Sequence, residues 1–102
     1  MKEIKSKEDI KEALRRGRSV IMFGKYDCLH CTIVRNCIES VERHYPLIDF
    51  YFTEDRQMAD ARHIDGYPVT IFYEHGIEQG RLIGSGKINI LRDLFNLWFK
   101  KD

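Results

Sequence analysis

The chain has 102 residues, of which 43% are hydrophobic and 32% charged, and its 17 basic and 16 acidic residues leave a net charge of +1. This length and balance predict one globular domain over residues 1–102 and exclude a disordered chain. The small net charge and the short apolar runs argue against nucleic acid or a membrane as partner. Because no apolar leader segment is visible at residues 1–10, we expect a cytoplasmic protein.

Hydrophobic periodicity predicts alternating helices and strands. In chain order these are an edge strand near residues 1–4, a helix over 6–16, a strand over 19–23, a helix over 28–45, a strand over 47–52, a helix over 54–63, a strand over 69–73, a hairpin strand around 81–83 and a helix over 88–98. Strands separated by helices imply parallel pairing, and the hairpin adds antiparallel pairing. We therefore predict an α/β fold: a mixed sheet of four to five strands flanked by helices on both faces.

The second predicted helix carries one long apolar face. Pro46 should end this helix. Its members are Ile33, Val34, Cys37, Ile38, Val41 and Tyr45. On this face Cys37 is expected to be a buried small hydrophobe, since free cysteine is among the most buried residue types. Trp98, on the apolar stripe of the last helix, is expected to pack in the core.

A Cys-x-x-Cys pair, Cys28 and Cys31, stands where a strand and its loop lead into this helix. Unpaired N–H groups and the dipole at a helix N-terminus stabilise a thiolate, which is the nucleophile in disulfide exchange. Two intervening residues allow the sulfurs to form a disulfide across the first turn. Cys28 is then the expected attacking thiol, and Cys31, one turn inward, the resolving thiol.

Metal binding is the alternative chemistry for two closely spaced cysteines. A structural zinc site requires four ligands, commonly in two spaced pairs. Cys37 is the third and last cysteine of the sequence, so no second pair exists. We therefore favour redox chemistry and assign no metal site.

The pair Cys28 and Cys31 at a helix start, followed by Gly66-Tyr67-Pro68-Val69 at the start of a late strand, resembles thioredoxins and their relatives. The resemblance spans nearly the whole chain. It implies a thioredoxin-like fold in which Pro68 follows a cis peptide bond and faces the redox pair. It also implies that the backbone of Tyr67 pairs with an extended substrate segment, because a cis-proline exposes backbone groups for β-type pairing.

Three positions depart from the thioredoxin pattern. Thioredoxins carry Trp-Cys-Gly-Pro-Cys where this chain has Asp27-Cys28-Leu29-His30-Cys31. They bury an aspartate six positions before the first cysteine, where this chain has Met22, and a helix proline is replaced by Asn36. The resemblance therefore does not identify the group that accepts the Cys31 proton.

Two side chains beside the pair have open roles. His30 occupies a position that is also histidine in protein disulfide isomerases, and an imidazolium there would stabilise the Cys28 thiolate and make the disulfide more oxidising. An exposed loop histidine with little effect is the alternative, and the adjacent Asp27 opposes the tuning. Tyr26 is either a lid over the pair or a packing aromatic.

The function expected from these features is reduction of protein disulfides by a monomer without a bound cofactor. Electrons would come from NADPH through a thioredoxin reductase, or from glutathione, since a reducing cytosol keeps such a pair as dithiol. A glutaredoxin-like enzyme that uses glutathione is one alternative. A non-catalytic binding module with this fold is another, although the intact Cys28 and Cys31 argue against it.

Overall fold

The computed structural model describes residues 1–15 and 17–99. These residues form β1 (Lys2–Glu3), α1 (Lys7–Arg15), β2 (Arg18–Phe23), α2 (Leu29–Glu42), β3 (Ile48–Thr53), α3 (Arg56–Asp60), β4 (Val69–Glu74), β5 (Ile77–Ile83), a 3-10 turn (Ile88–Ile90) and α4 (Leu91–Trp98). Arg16, expected at the end of the first helix, and the last three residues of the expected domain lie outside the described residues.

The strands form one mixed sheet in the order β1-β3-β2-β4-β5. β3 lies parallel to both β1 and β2, whereas β4 pairs antiparallel with β2 and with β5. The β4–β5 hairpin turns through His75 (φ 52°) and Gly76 (φ 79°), which fits a two-residue loop with positive φ at both positions. The predicted α/β class is confirmed, and the short β1 is the fifth strand.

Helices cover both faces of the sheet. Successive strand residues point to opposite faces, so β2 contributes to two cores. Val20 and Met22 lie in the core covered by α2 and α4, whereas Ile21 and Phe23 lie in the core covered by α1 and α3. The predicted arrangement of helices on both faces is therefore confirmed.

Helix α2 ends earlier than predicted, at Glu42 instead of Tyr45. The amides of His44 and Tyr45 bond to carbonyls three residues back, so the chain tightens into a 3-10-type turn before Pro46. Pro46 disfavours helical geometry at Tyr45, the residue before it, so the α-helix does not continue through this turn.

The apolar face of α2 is also narrower than predicted. Val34 and Ile38 are fully buried, but Ile33 is 43% exposed, because each helical residue is rotated about 100° from the previous one. Cys37 is half-buried instead of buried, at the edge of the core, and its Sγ lies 3.8 Å from the Ile88 carbonyl oxygen. Cys37 therefore packs against the core as a small hydrophobe, but it is half-buried and not buried as expected.

Two further helix boundaries differ from the prediction. α3 begins only after Asp55, whose carboxylate caps it by accepting from the Met58 amide, and His63 beyond it takes a left-handed conformation (φ 59°) that ends helical pairing. The C-terminal helix starts at Leu91, after the 3-10 turn. Trp98 is half-buried, with its ring centroid 4.7 Å from that of Phe72, so its predicted packing role holds.

Candidate redox site

The two cysteines of the pair lie at the start of α2, directly after β2 and its loop. Cys28 is the N-cap residue, and its Sγ accepts a hydrogen bond from the Cys31 amide at 3.2 Å. The Cys28 carbonyl accepts the Thr32 amide at 3.0 Å, which begins the helical ladder. The sulfur of Cys28 therefore occupies the capping position where an anion is best stabilised.

The two thiols differ in exposure. Cys28 is half-buried, whereas Cys31 is 1% exposed, and both are free thiols in this structure. Burial, together with the neighbouring Cys28, raises the pKa of Cys31 to about 11. An accessible thiol before a buried one is the arrangement expected of an attacking and a resolving cysteine.

The Cys31 sulfur lies among apolar groups, next to the Cys28 thiol and one amide donor. A Cβ built on Gly24 would lie 3.1 Å from Cys31 Sγ and 3.3 Å from the Met22 methyl carbon, so the backbone passes close over both. Met22, at the position where thioredoxins bury an aspartate, is fully buried. The Lys25 amide donates to Cys31 Sγ at 3.4 Å. Sequence reasoning missed Gly24 and Lys25, because neither belongs to a motif.

The Tyr67–Pro68 segment lies at the same end of the sheet as the loop that carries Cys28. Phe23, the last residue of β2, pairs with Val69, the first residue of β4. The loop that leads from β2 to Cys28 therefore lies next to the loop that ends at Pro68. The Tyr67–Pro68 peptide bond is cis. Tyr67 is half-buried, and the Lys25 ammonium lies 5.7 Å from its ring centroid.

His30 joins the start of α2 to the loop that follows β5. Its Nδ1 lies 2.9 Å from Ser85 Oγ, and the adjacent Gly84 amide donates to the Pro68 carbonyl at 2.8 Å. The imidazole is exposed. A chain of two hydrogen bonds thus connects the Cys-x-x-Cys helix to the cis-proline loop.

Tyr26 packs on the outer side of the loop. Its ring lies 5.0 Å from Phe52 and beneath the guanidinium of Arg35 at 4.7 Å. Its hydroxyl donates to Glu3 at 2.8 Å, a bond that raises the pKa of Tyr26, and its amide donates to Glu54 at 2.9 Å. These contacts make Tyr26 a packing residue that holds the loop in place.

A shallow groove of about 290 Å³ runs beside the cis-proline. Tyr67, Pro68, Ile83 and Gly84 are among its lining residues. Leu29 and Ile83 are each 73% exposed, one next to Cys28 and one on the groove. An exposed apolar side chain therefore follows the half-buried Cys28, and a second one lines the groove beside the cis-proline.

Residues 1–15 and 17–99 contain no group of three histidine, cysteine or acidic side chains arranged to bind a metal ion. Within the same residues, no helix combines the length and apolarity needed to span a bilayer.

No protein-family model matches the sequence, and no curated protein matches it. Solved structures do match. Thioredoxin from Trypanosoma brucei brucei aligns with a TM-score of 0.86 at 17% identity, over 97% of this chain and 90% of its own. Fasciola hepatica thioredoxin aligns with a TM-score of 0.85 at 18% identity, over 96% of this chain and 99% of its own. Plasmodium falciparum thioredoxin aligns with a TM-score of 0.86 at 16% identity, again over 96% of this chain and 99% of its own. The chain therefore has a thioredoxin-like fold.

Proposed function

We propose that this chain is a thiol–disulfide oxidoreductase that reduces protein disulfides through Cys28 and Cys31. The observation that carries the proposal is the pairing of a half-buried thiol at the N-cap of α2 with a buried thiol one turn later. The thioredoxin-like fold supports thiol–disulfide exchange in general. The direction, toward reduction, is our inference from the cytoplasmic setting expected for the chain.

The reaction would proceed in two exchanges. The Cys28 thiolate attacks one sulfur of the substrate disulfide, forming a mixed disulfide and releasing the other substrate sulfur, which takes up a proton. Deprotonated Cys31 then attacks Cys28 Sγ, so that the Cys28–Cys31 bond forms and the second substrate sulfur leaves with the electron pair. The substrate gains two electrons and two protons, and the dithiol becomes a disulfide.

A protein substrate fits the surface around Cys28. An extended segment of the substrate would pair with the backbone of Tyr67 at the groove beside Pro68. The exposed Leu29 and Ile83 provide apolar contacts on either side. These features support disulfide-containing proteins as substrates, with Tyr67 and Pro68 as their binding residues.

Renewal of the dithiol requires an electron donor. We propose a thioredoxin reductase supplied by NADPH, with glutathione as the alternative donor, and no bound cofactor. The groove formed by Pro68, Ile83 and Gly84 is also the place where a tripeptide backbone would bind, so a glutathione-dependent enzyme is the second candidate.

A reductase assay with two donors tests the proposal. Reduced chain is mixed with insulin, and either NADPH with thioredoxin reductase or glutathione with glutathione reductase is supplied. NADPH consumption and insulin precipitation should depend on the chain, and a variant with both Cys28→Ser and Cys31→Ser should show only the background rate. Turnover with glutathione alone would favour the second candidate. No turnover with either donor would instead indicate a non-catalytic binding module.

A further inference from the structure

Lys25 makes two separate contacts with the redox site. Its backbone N–H donates to the buried sulfur of Cys31 at 3.4 Å. Its ammonium lies 5.7 Å from the ring centroid of Tyr67, the residue before the cis-proline. The residue therefore joins the resolving thiol to the segment proposed to bind substrate.

Cys31 has to ionise in surroundings that disfavour a charge. Its sulfur lies among Gly24, Met22 and other apolar groups of the core, and it is 1% exposed. The Cys28 thiol opposes ionisation of Cys31, the Lys25 amide favours it, and the ammonium of Lys25 adds a smaller favourable effect. Lys25 thus contributes an amide hydrogen bond to the Cys31 sulfur and a positive charge held beside Tyr67.

Apart from Asp27, the other charged groups described around this loop have partners of their own. Arg35 lies over the rings of Tyr26 and Phe52, and Glu54 accepts a hydrogen bond from the Tyr26 amide. Arg56 forms an ion pair with Asp60 and lies 5.2 Å from the Tyr67 ring centroid. His30 contacts Ser85. Asp27, beside Cys28, is exposed. Met22 and Phe52, which approach Gly24 from β2 and β3, carry no charge.

We propose that Lys25 is a positioning residue of the redox site, whose ammonium stabilises the Cys31 thiolate during resolution of the mixed disulfide. The proposal rests on the proposed exchange through Cys28 and Cys31. In that step Cys31 gives its proton to solvent and its sulfur attacks Cys28 Sγ, while the Cys28–substrate bond breaks and the electron pair leaves on the substrate sulfur. The Tyr67 ring keeps the ammonium beside the site through a cation–π contact.

The experiment measures resolution by itself. Cys28 is first converted to a mixed disulfide with thionitrobenzoate, and release of this coloured thiolate is followed by stopped flow across a pH series. Lys25→Met should slow release about two- to fivefold at neutral pH, as expected for a charge that acts near the surface. The difference should shrink in 1 M salt, because screening weakens such interactions.

Two controls separate charge from packing. Lys25→Arg retains the cation and should restore most of the rate, and Lys11→Met, on α1 at the opposite face of the sheet, should leave the rate unchanged. If wild-type protein releases no thionitrobenzoate, the proposed function fails. If wild type releases it and Lys25→Met does so equally fast over the whole pH series, the inference about Lys25 is wrong. A slowing that salt does not reduce and arginine does not restore would also overturn it.

Discussion

The Cys31 amide points at the sulfur of Cys28, 3.2 Å away, so the two cysteines are already joined by a hydrogen bond across the first turn of α2. This contact places the resolving thiol beside the sulfur that it would attack. Cys28, the attacking thiol, is half-buried, and the groove next to Pro68 lies at the same end of the sheet.

Trapping by cysteine variants follows from this geometry. Cys28→Ser should abolish exchange, because the buried Cys31 is not accessible to a substrate disulfide. Cys31→Ser should accumulate long-lived mixed disulfides at Cys28, because the resolving thiol is missing. Mass spectrometry of protein incubated with oxidised insulin measures both. Adducts on the Cys28→Ser protein would reverse the two roles.

The reduced protein should lose stability at alkaline pH. The pKa of Cys31 is raised to about 11 from an ordinary value of 9.0, so the unfolded chain ionises this thiol first. The neutral Cys31 thiol makes its full contribution to the free energy of unfolding below the pKa that it has in the unfolded chain. That contribution declines as the pH rises from about 9 through about 11. Urea unfolding of wild type and Cys31→Ser over this range should show a steeper decline for wild type. Parallel declines would contradict the prediction.

His30 is the side chain that we predict to tune the redox potential, because an imidazolium there would stabilise the Cys28 thiolate and thus the dithiol form. His30→Gln removes that charge and should make the disulfide harder to reduce. For this two-electron couple, a change of about 30 mV in the reduction potential corresponds to roughly 1.4 kcal/mol. Equilibration with glutathione measures the potential. Ser85→Ala is the matched control, because it removes the 2.9 Å contact with His30 and leaves the imidazole in place. An unchanged potential in His30→Gln would make His30 a solvated loop residue.

Cys37 should react more slowly than Cys28 with an alkylating reagent. Burial raises the pKa of Cys37, and its thiol lies at the edge of the core beside the Ile88 carbonyl. Cys37→Ala should leave turnover intact and lower the free energy of unfolding by about 1 kcal/mol. Peptide mapping after timed alkylation gives the rates, and equal labelling of both thiols would point to an accessible, regulatory Cys37.

Gly80 should tolerate no larger side chain. A Cβ there would overlap the indole of Trp98, which packs against the β5 backbone at Gly80. Gly80→Ala should therefore displace the end of α4 and lower stability by about 1–3 kcal/mol. The chain has one tryptophan, so its fluorescence reports the displacement. Gly66→Ala, where a Cβ meets nothing within 4 Å, is the control. An unshifted spectrum in Gly80→Ala would show that α4 adapts freely.

Local sequence patterns were sufficient for the element order and the redox motif. Apolar residues at helical and strand spacing identify the order of helices and strands, His75-Gly76 identifies the hairpin, and the place of Cys28 at a helix start follows from the change of period beyond it. These signals depend on residues close together in the chain. Element boundaries were less accurate, because the apolar pattern of α2 continues to Tyr45, whereas its hydrogen bonds tighten into a 3-10-type turn after Glu42.

The environment of the site depended on contacts between distant segments. By itself the sequence determined the fold class and the two thiols, since periodicity and the Cys-x-x-Cys spacing are local. The tertiary structure decided which thiol is buried, that Ile33 faces solvent, and that Lys25 adjoins both Cys31 and Tyr67. The register that sets Phe23 opposite Val69 creates this last juxtaposition, and register is a cooperative property of the whole sheet that no short segment encodes.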